Sequence, residues 1–365
     1  MSSLRYSHTQ LEKFCCAAFE KLGFSAEEAA KITDVLILAD LYGIESHGTQ
    51  RLIRYYKAIM CNSINVKAKP EIVFETPISA VIDGNAGMGQ IISDFSMKLA
   101  IEKAKKCGVG IVTVRNSNHF GIAGYYAKMA CDQGFFGMAT TNSESIMVHT
   151  YSKQPILGSN PIAVSMPAEP YPFLFDAATT VVPRGKLEVY NKKEKELYDG
   201  WAVDETGKVC RDAQHVLDCI ISKGGGGILP LGGASEETGS HKGYGYAMLC
   251  EILSAILSGG ATSNHHVRAA NQGAGSAHSF IVISLDLFGN PEVIKNNMSV
   301  FLEELRNAPK ADGCDRIYTH GEKEIISYED RIKNGFEVNI NTIAEMKEIC
   351  NALGMDSSLY FNDEV

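Results

Sequence analysis

The chain of 365 residues has no apolar run that approaches a membrane span, and its opening, MSSLRYSHTQ, lacks the apolar core of a secretory signal. Positive charge is in deficit: 34 Lys and Arg against 43 Asp and Glu leave a net charge of −9. That balance argues against a nucleic-acid surface or an anionic membrane as partner, while a local cationic site for a small anion stays compatible with it. The ten cysteines include no C-x-x-C pair, only the adjacent Cys15-Cys16. Neither a disulfide framework nor a zinc site is expected, and the thiols read as reduced and mostly buried in a cytoplasmic protein. The dinucleotide fingerprint G-x-G-x-x-G and the Walker-A loop are both missing. Gly84-Asn85-Ala86-Gly87-Met88-Gly89 lies between a predicted strand and a predicted helix, but its order is G-x-x-G-x-G. It is read as a tight turn, so a standard Rossmann domain is not expected.

What is present is ordinary globular material, 45% hydrophobic and 21% charged. At roughly 150 residues per domain, the length allows two or three domains. Ser7 with Gln10, and Ser25 with Glu28, form capping-box patterns that start helices running to about Leu22 and Tyr42. Residues 62–79 form a polar connector. From 79 to 141 the pattern is strand, helix, strand, helix, strand, which argues for an α/β core. Further strands are expected at Ile162–Met166, Phe173–Asp176 and Ser279–Leu285, with a helix from Tyr244 to about Leu257. The charged run 192–196 is a solvated loop. The Gly-rich stretch 223–243 is expected to be mobile, and the tail from Pro291 is helical, interrupted at Tyr318–Glu322.

The chain is organised around Val109–Gly124, VGIVTVRNSNHFGIAG. A buried strand breaks into a polar loop and a helix follows, so His119 falls beyond the carboxyl end of a strand, where open α/β sheets bind ligands. A histidine there can exchange a proton near neutral pH; alternatively, it caps the next helix. In GIESHGTQRL, Ser46 is expected to cap a third helix with His47, Arg51 and Tyr55 four residues apart on one face. A guanidinium at that turn matches a carboxylate in two-point contact, although a surface ion-pairing face has the same spacing. Asp176 at a strand end either caps a turn or orients a histidine. Lys242 at a helix start suits an anion. The doublet His265-His266 has no matching ligand cluster and is discounted as a metal site.

Together these segments resemble one family. GIESHGTQRL, VRNSNHFGIAGYYA, TTNSES, LGSNPIAV, FDAATT, RGK, GWAVDETGK, HKGYGYAMLCEIL and IYTHGEKE occur in the order found in the malate/L-lactate/ureidoglycolate type of nicotinamide-dependent dehydrogenase, and they span nearly the whole chain. The resemblance implies an α/β fold that is not Rossmann. It comprises a helical domain built from both chain ends (1–75 and 291–365) and a central cofactor-binding α/β domain (76–290). It also implies a homodimer with the cofactor near the subunit contact.

Carried over by position, the resemblance makes His47 and His119 catalytic, with His119 the acceptor of the hydroxyl proton. Arg51 becomes the partner of the substrate carboxylate, beside Tyr55. Ser143, Asp176, Ala177, Ala178 and Thr179 would lie around the nicotinamide cofactor, Lys242 at a phosphate, and Gly321 and Glu322 at a late cofactor contact. FDAATT stands where D-M-A-T-S is commoner and LGSNP where L-G-T-N-P is, and both keep their hydroxyls. The implied reaction is reversible hydride transfer between NAD or NADP, NAD favoured, and a 2-hydroxy acid/2-oxo acid pair. No metal is required. The alternatives are reduction of a cyclic imine carboxylate or a diketogulonate-type substrate by the same residues, and a non-catalytic acid-binding protein, against which the two histidines and Arg51 argue.

Overall fold

Residues 3–266 and 273–361 are described by the computed structural model. After a short strand β1 (Ser3–Tyr6), both capping boxes form as the sequence predicts, Ser7 with Gln10 starting α1 (His8–Lys21) and Ser25 with Glu28 starting α2 (Ala26–Leu41). The third helix departs from expectation. Glu45–His47 and Thr49–Arg51 are separate 3-10 turns, and α3 begins only at Leu52 and ends at Met60. The cause is Asp40: its buried carboxylate accepts the Thr49 N–H at 2.8 Å, and at Gly48 a Cβ would fall 1.8 Å from it. The chain is thereby bent between His47 and Arg51 instead of winding through them as one helix.

The polar connector contains a strand, β2 (Glu71–Glu75), paired to β3 (Ser79–Asp83). The expected alternation follows in α4 (Gly89–Cys107), β4 (Val109–Ser117), α5 (Ala123–Cys131) and β5 (Phe136–Thr141). Next come β6 (Met147–Val148), β7 (Pro155–Leu157), β8 (Ile162–Met166), β9 (Phe173–Ala177), α6 (Arg184–Lys192), β10 (Ala202–Val203), α7 (Ala213–Ser222), β11 (Gly227–Ile228), α8 (Ser240–Glu251) and β12 (Ser276–Ile283). The chain closes with α9 (Pro291–Asn307), α10 (Glu322–Asn334), β13 (Phe336–Asn339) and α11 (Ile340–Leu353).

Seven strands form the main sheet in the order β2-β3-β4-β12-β5-β8-β9. Only β3 and β4 pair in parallel; every other neighbouring pair is antiparallel. Strands β4 and β5, consecutive in the αβ alternation, are not neighbours, because β12 from far along the chain inserts between them. One face of this sheet carries Ile82, Val112, Val114, Phe280 and Val282 against α4 and α5. A separate core joins the chain ends: Leu11, Phe14, Ile32 and Leu36 pack with Phe336, Ile343, Met346 and Phe361, and β1 pairs antiparallel with β13. A third core lies beside a small sheet ordered β10-β11-β6-β7 and includes Leu187, Val216 and Ile220. The glycine run expected to be mobile is tied down there, with Gly226 N–H donating to Lys153 at 2.7 Å and Gly227 pairing with Val203. Among the described residues, no helix is long and apolar enough to cross a membrane.

Candidate active site

The loop after β4 enters the site because two neighbouring segments clamp it. Asn118 donates from Nδ2 to the Ala86 and Gly87 carbonyls, 2.9 Å each, and accepts the Ala274 N–H at 3.0 Å. The glycine turn at 84–89 makes this approach possible. A Cβ at Gly89 would stand 2.3 Å from the Asn118 carbonyl oxygen and 2.4 Å from that of His119. The G-x-x-G-x-G order therefore serves close backbone packing under the His119 loop.

His119 lies against His47, with ring centroids 5.5 Å apart and the planes 24° from parallel. Both are half-buried and line one narrow cleft. A buried hydrogen-bond chain reaches His119 from behind. Gln90 Nε2 donates to the Tyr55 hydroxyl at 2.9 Å, which leaves that hydroxyl's own proton for His119 Nδ1 at 2.7 Å. The Gly121 N–H also points at Nδ1, at 3.3 Å, two residues ahead of the first residue of α5, so His119 steadies the turn before that helix and does not cap the helix itself. With Nδ1 accepting, the neutral ring carries its proton on Nε2, a tautomer assigned from the network. On the other side of the site, Ser46 Oγ meets His47 Nδ1 at 2.9 Å.

The electrostatics keep both rings uncharged. Burial foremost, then the Arg51 and Arg54 charges, push His47 down to about 3. Burial, Arg54, His47 and Arg51 hold His119 well below the ordinary imidazole range. Burial likewise pushes the Tyr55 hydroxyl up to about 12, so it stays a neutral donor.

The cleft assembles some of the sequence-predicted residues and sets others apart. Ser143 lines it, its Oγ 3.2 Å from that of Ser159 and its N–H bonded to Asn160 Oδ1 at 3.1 Å. Thr179 is one step behind, donating from both N and Oγ1 to the Ser159 carbonyl. Tyr55 sits behind His119. Arg51 donates from Nε to the Ser46 carbonyl at 2.5 Å and so braces the His47 turn, whereas Arg54, one turn further along α3, lines the cleft. Asp176 accepts the Gly124 N–H at 2.6 Å and caps α5; burial raises its carboxyl to about 6. With Ala177 and Ala178 it is half-buried at the end of β9 and outside the cleft lining. Lys242 is exposed in the first turn of α8. Gly321 precedes α10, and the buried Glu322 carboxylate is engaged by Arg316 and by the Thr319 N–H at 3.1 Å.

Sequence reasoning missed four contributors. Arg54 and His266 line the cleft; Gln90 and Glu251 build its support. The Glu251 carboxylate accepts from Asn142 Nδ2 at 3.2 Å, Asn160 Nδ2 at 3.1 Å and the Ser263 N–H at 3.1 Å, pinning the Ser143 wall. Nothing in its surroundings on α8 marks this residue as buried. The sequence offers His266 only as half of a doublet without further metal ligands, and the structure sets it in the cleft wall. Its buried Nε2 has no hydrogen-bond partner among the described residues and is available to a ligand in the cleft.

An imidazole held neutral beside two guanidiniums is suited to taking a proton from a small anionic alcohol. That arrangement, on a mixed α/β fold, is chemically suited to proton exchange with a small organic anion. The family follows from comparison with known proteins. The model of the malate/L-lactate dehydrogenase family matches residues 6–347, and the chain belongs to that family. It is 43% identical over 352 residues to the malate dehydrogenase of Pyrococcus abyssi, covering 96% of each chain. It is 38% identical over 352 residues to the L-sulfolactate dehydrogenase of Methanocaldococcus jannaschii, covering 96% of this chain and 97% of that one. The crystal structure of malate dehydrogenase from Entamoeba histolytica superposes with a TM-score of 0.93 at 38% identity, covering 97% of this chain and 99% of that one.

Proposed function

We propose that the protein oxidises and re-forms a small 2-hydroxy acid in the His47–His119 cleft, with NAD or NADP, NAD favoured, as partner. The observation that carries this reading is the neutral His119, fixed from behind by Tyr55 and Gln90 and faced by His47 and Arg54. The cleft wall fits a nicotinamide. Ser143 and Ser159 offer hydroxyls, and His266 Nε2, without a partner among the described residues, suits a carboxamide. Ser143, Asp176, Ala177, Ala178, Thr179, Lys242, Gly321 and Glu322 are the residues assigned to cofactor binding. When bound, the cofactor supplies the hydride acceptor or donor.

The chain's own residues do the rest. Arg51, with Arg54 beside it, binds the substrate carboxylate. His119 exchanges the proton of the C2 oxygen through Nε2. In the arrangement described the neutral ring carries its proton on Nε2; 2-oxo acid reduction draws that proton from the doubly protonated ring that alcohol oxidation leaves behind. Turning the Gln90 amide over reverses the chain. Gln90 Oε1, buried and without a partner among the described residues, then accepts from Tyr55, and Tyr55 accepts from Nδ1–H. That frees the Nε2 lone pair for alcohol oxidation. A positioned base of this kind contributes roughly 10²–10⁴-fold.

The domain division at 75 and 290 is supported by the core that the chain ends share. A homodimer is supported by the exposed apolar side chains of Leu249, in α8, and of Ile252, Ile256 and Leu257 just after it. A cytoplasmic location accords with ten free cysteines.

The test supplies NADH or NADPH against a panel of oxaloacetate, pyruvate, sulfopyruvate, diketogulonate and a cyclic imine carboxylate, followed by reduced-nicotinamide absorbance. Turnover of a 2-oxo acid is the expected result. Turnover of the imine alone would overturn the assignment of substrate class.

A further inference from the structure

Away from the cleft, three side chains of different chemistry converge on one point beside the small sheet. The Glu205 carboxylate oxygen Oε2 lies 2.7 Å from His215 Nε2, Cys219 Sγ lies 3.5 Å from that same oxygen, and it lies 3.8 Å from the same ring nitrogen. We propose that Glu205, His215 and Cys219 form a binding site for a borderline divalent transition metal of the zinc and cobalt type. This site is separate from the dehydrogenase chemistry.

The geometry is that of a tetrahedral half-shell. With metal–sulfur bonds near 2.3 Å and metal–nitrogen or metal–oxygen bonds near 2.05 Å, tetrahedral ligands stand about 3.3–3.6 Å apart. The Sγ–Oε2 separation of 3.5 Å already matches, and the Sγ–Nε2 separation of 3.8 Å is about 0.2 Å long. The main change needed to admit the ion is that the His215–Glu205 hydrogen bond opens by about 0.6 Å. His215 and Cys219, at i and i+4 on α7, share one face of that helix, as paired metal ligands on a helix do. Both backbones are fixed. Asp212 caps α7 by accepting the His215 N–H at 3.0 Å, and Asp204 Oδ1 accepts from Thr206 and Lys208 N–H groups, shaping the turn that carries Glu205. Asp204 and Asp212 add negative charge near His215. Glu205 and His215 are exposed while Cys219 is buried, so the fourth position opens to water.

The same residues do not make a nucleophilic triad. A Cys–His–carboxylate relay uses the two ring nitrogens in turn, whereas here sulfur and carboxylate both face Nε2. Convergence on one atom is the arrangement of ligands around an ion.

The test is titration of the reduced, full-length protein with Co²⁺, following sulfur-to-cobalt charge-transfer absorption, with Zn²⁺ added as competitor. The expected result is one equivalent per chain, loss of the band when Zn²⁺ is added, absence of the band in Cys219→Ser, and at least tenfold weaker binding in His215→Gln. His215 is exposed, so the second variant leaves folding intact. No saturable band in the wild type, or an undiminished band in Cys219→Ser, would overturn the assignment and place any cobalt at the exposed Cys61, Cys107 or Cys314.

Discussion

Tyr55→Phe removes one oxygen and leaves the ring in place. That oxygen makes two buried hydrogen bonds, 2.7 Å to His119 Nδ1 and 2.9 Å from Gln90 Nε2. A neutral hydrogen bond contributes about 0.5–1.5 kcal/mol, and a buried donor left without an acceptor costs about 1–3 kcal/mol. Gln90 is 1% exposed, so its amide has no water to turn to, and the variant is expected to lose about 1–3 kcal/mol of stability. The catalytic loss is separable. His119 keeps only the 3.3 Å contact from Gly121, so its tautomer and tilt are no longer set. At about 1.4 kcal/mol per tenfold, kcat is expected to fall about 10- to 100-fold with KM little changed. Adding Gln90→Leu removes the orphaned donor, so the double variant regains stability relative to Tyr55→Phe but not activity. Steady-state kinetics and denaturant titration on the wild type, both single variants and the double variant give the cycle. A Tyr55→Phe enzyme with kcat within twofold of wild type, or one whose loss lies wholly in KM, would refute the positioning role.

Arg54→Gln is expected to raise KM for the acid at least tenfold with little change in kcat. Arg51→Gln, which also frees the Ser46 carbonyl, is expected to lower thermal stability as well, as scanning calorimetry would show. Gly89→Ala sets a methyl 2.3–2.4 Å from two carbonyl oxygens of the His119 loop. A cost of about 1–3 kcal/mol in stability is expected, with lower kcat, by thermal melting and kinetics. Because His119 is held well below the ordinary imidazole range, kcat/KM for hydroxy-acid oxidation is expected to stay level from pH 8 to pH 6 instead of falling near 6.5. Stability has its own pH signature. His47 and His278, at about 3, bind fewer protons folded than unfolded, so their contribution is present above pH 6.5 and is lost as pH falls towards 3. Asp40 and Asp176, raised by burial to about 7 and about 6, act oppositely: their contribution is full below pH 3.8 and is lost as pH rises to those values. The two pairs partly offset one another between pH 6 and 4. Acid unfolding is therefore expected to steepen below pH 4 when followed by circular dichroism.

Local signals were legible because local physics made the structure there. Ser7 and Ser25 cap their helices as the capping-box spacing requires, and Ile162–Met166 is the strand its pattern describes. The order G-x-x-G-x-G ruled out the dinucleotide fingerprint, and Gly89 shows what the glycines do instead. What failed depended on distant residues. The Ser46 helix start looked sound until Asp40, on the preceding helix, took the Thr49 N–H. The strand Glu71–Glu75 is exposed along its whole length, so no alternation of apolar residues announces it. In the site, His47, His119 and Ser143 were identified by their segments. Arg54, Gln90, Glu251 and His266 were not, since each owes its place to a tertiary approach no spacing encodes. The Glu205–His215–Cys219 cluster is the same case, its carboxylate ten residues before the helix pair.

The most direct test of the central claim follows the hydrogen itself. A 2-hydroxy acid that turns over, deuterated at C2, is incubated with oxidised cofactor and wild-type, His119→Gln or His47→Gln protein, and the cofactor is analysed by mass spectrometry. Deuterium on the nicotinamide ring at the wild-type rate is expected, with a fall of about 10²-fold or more in His119→Gln and a smaller one in His47→Gln, each with cofactor binding retained. Deuterium released to solvent, or transfer by His119→Gln at the wild-type rate, would contradict the account.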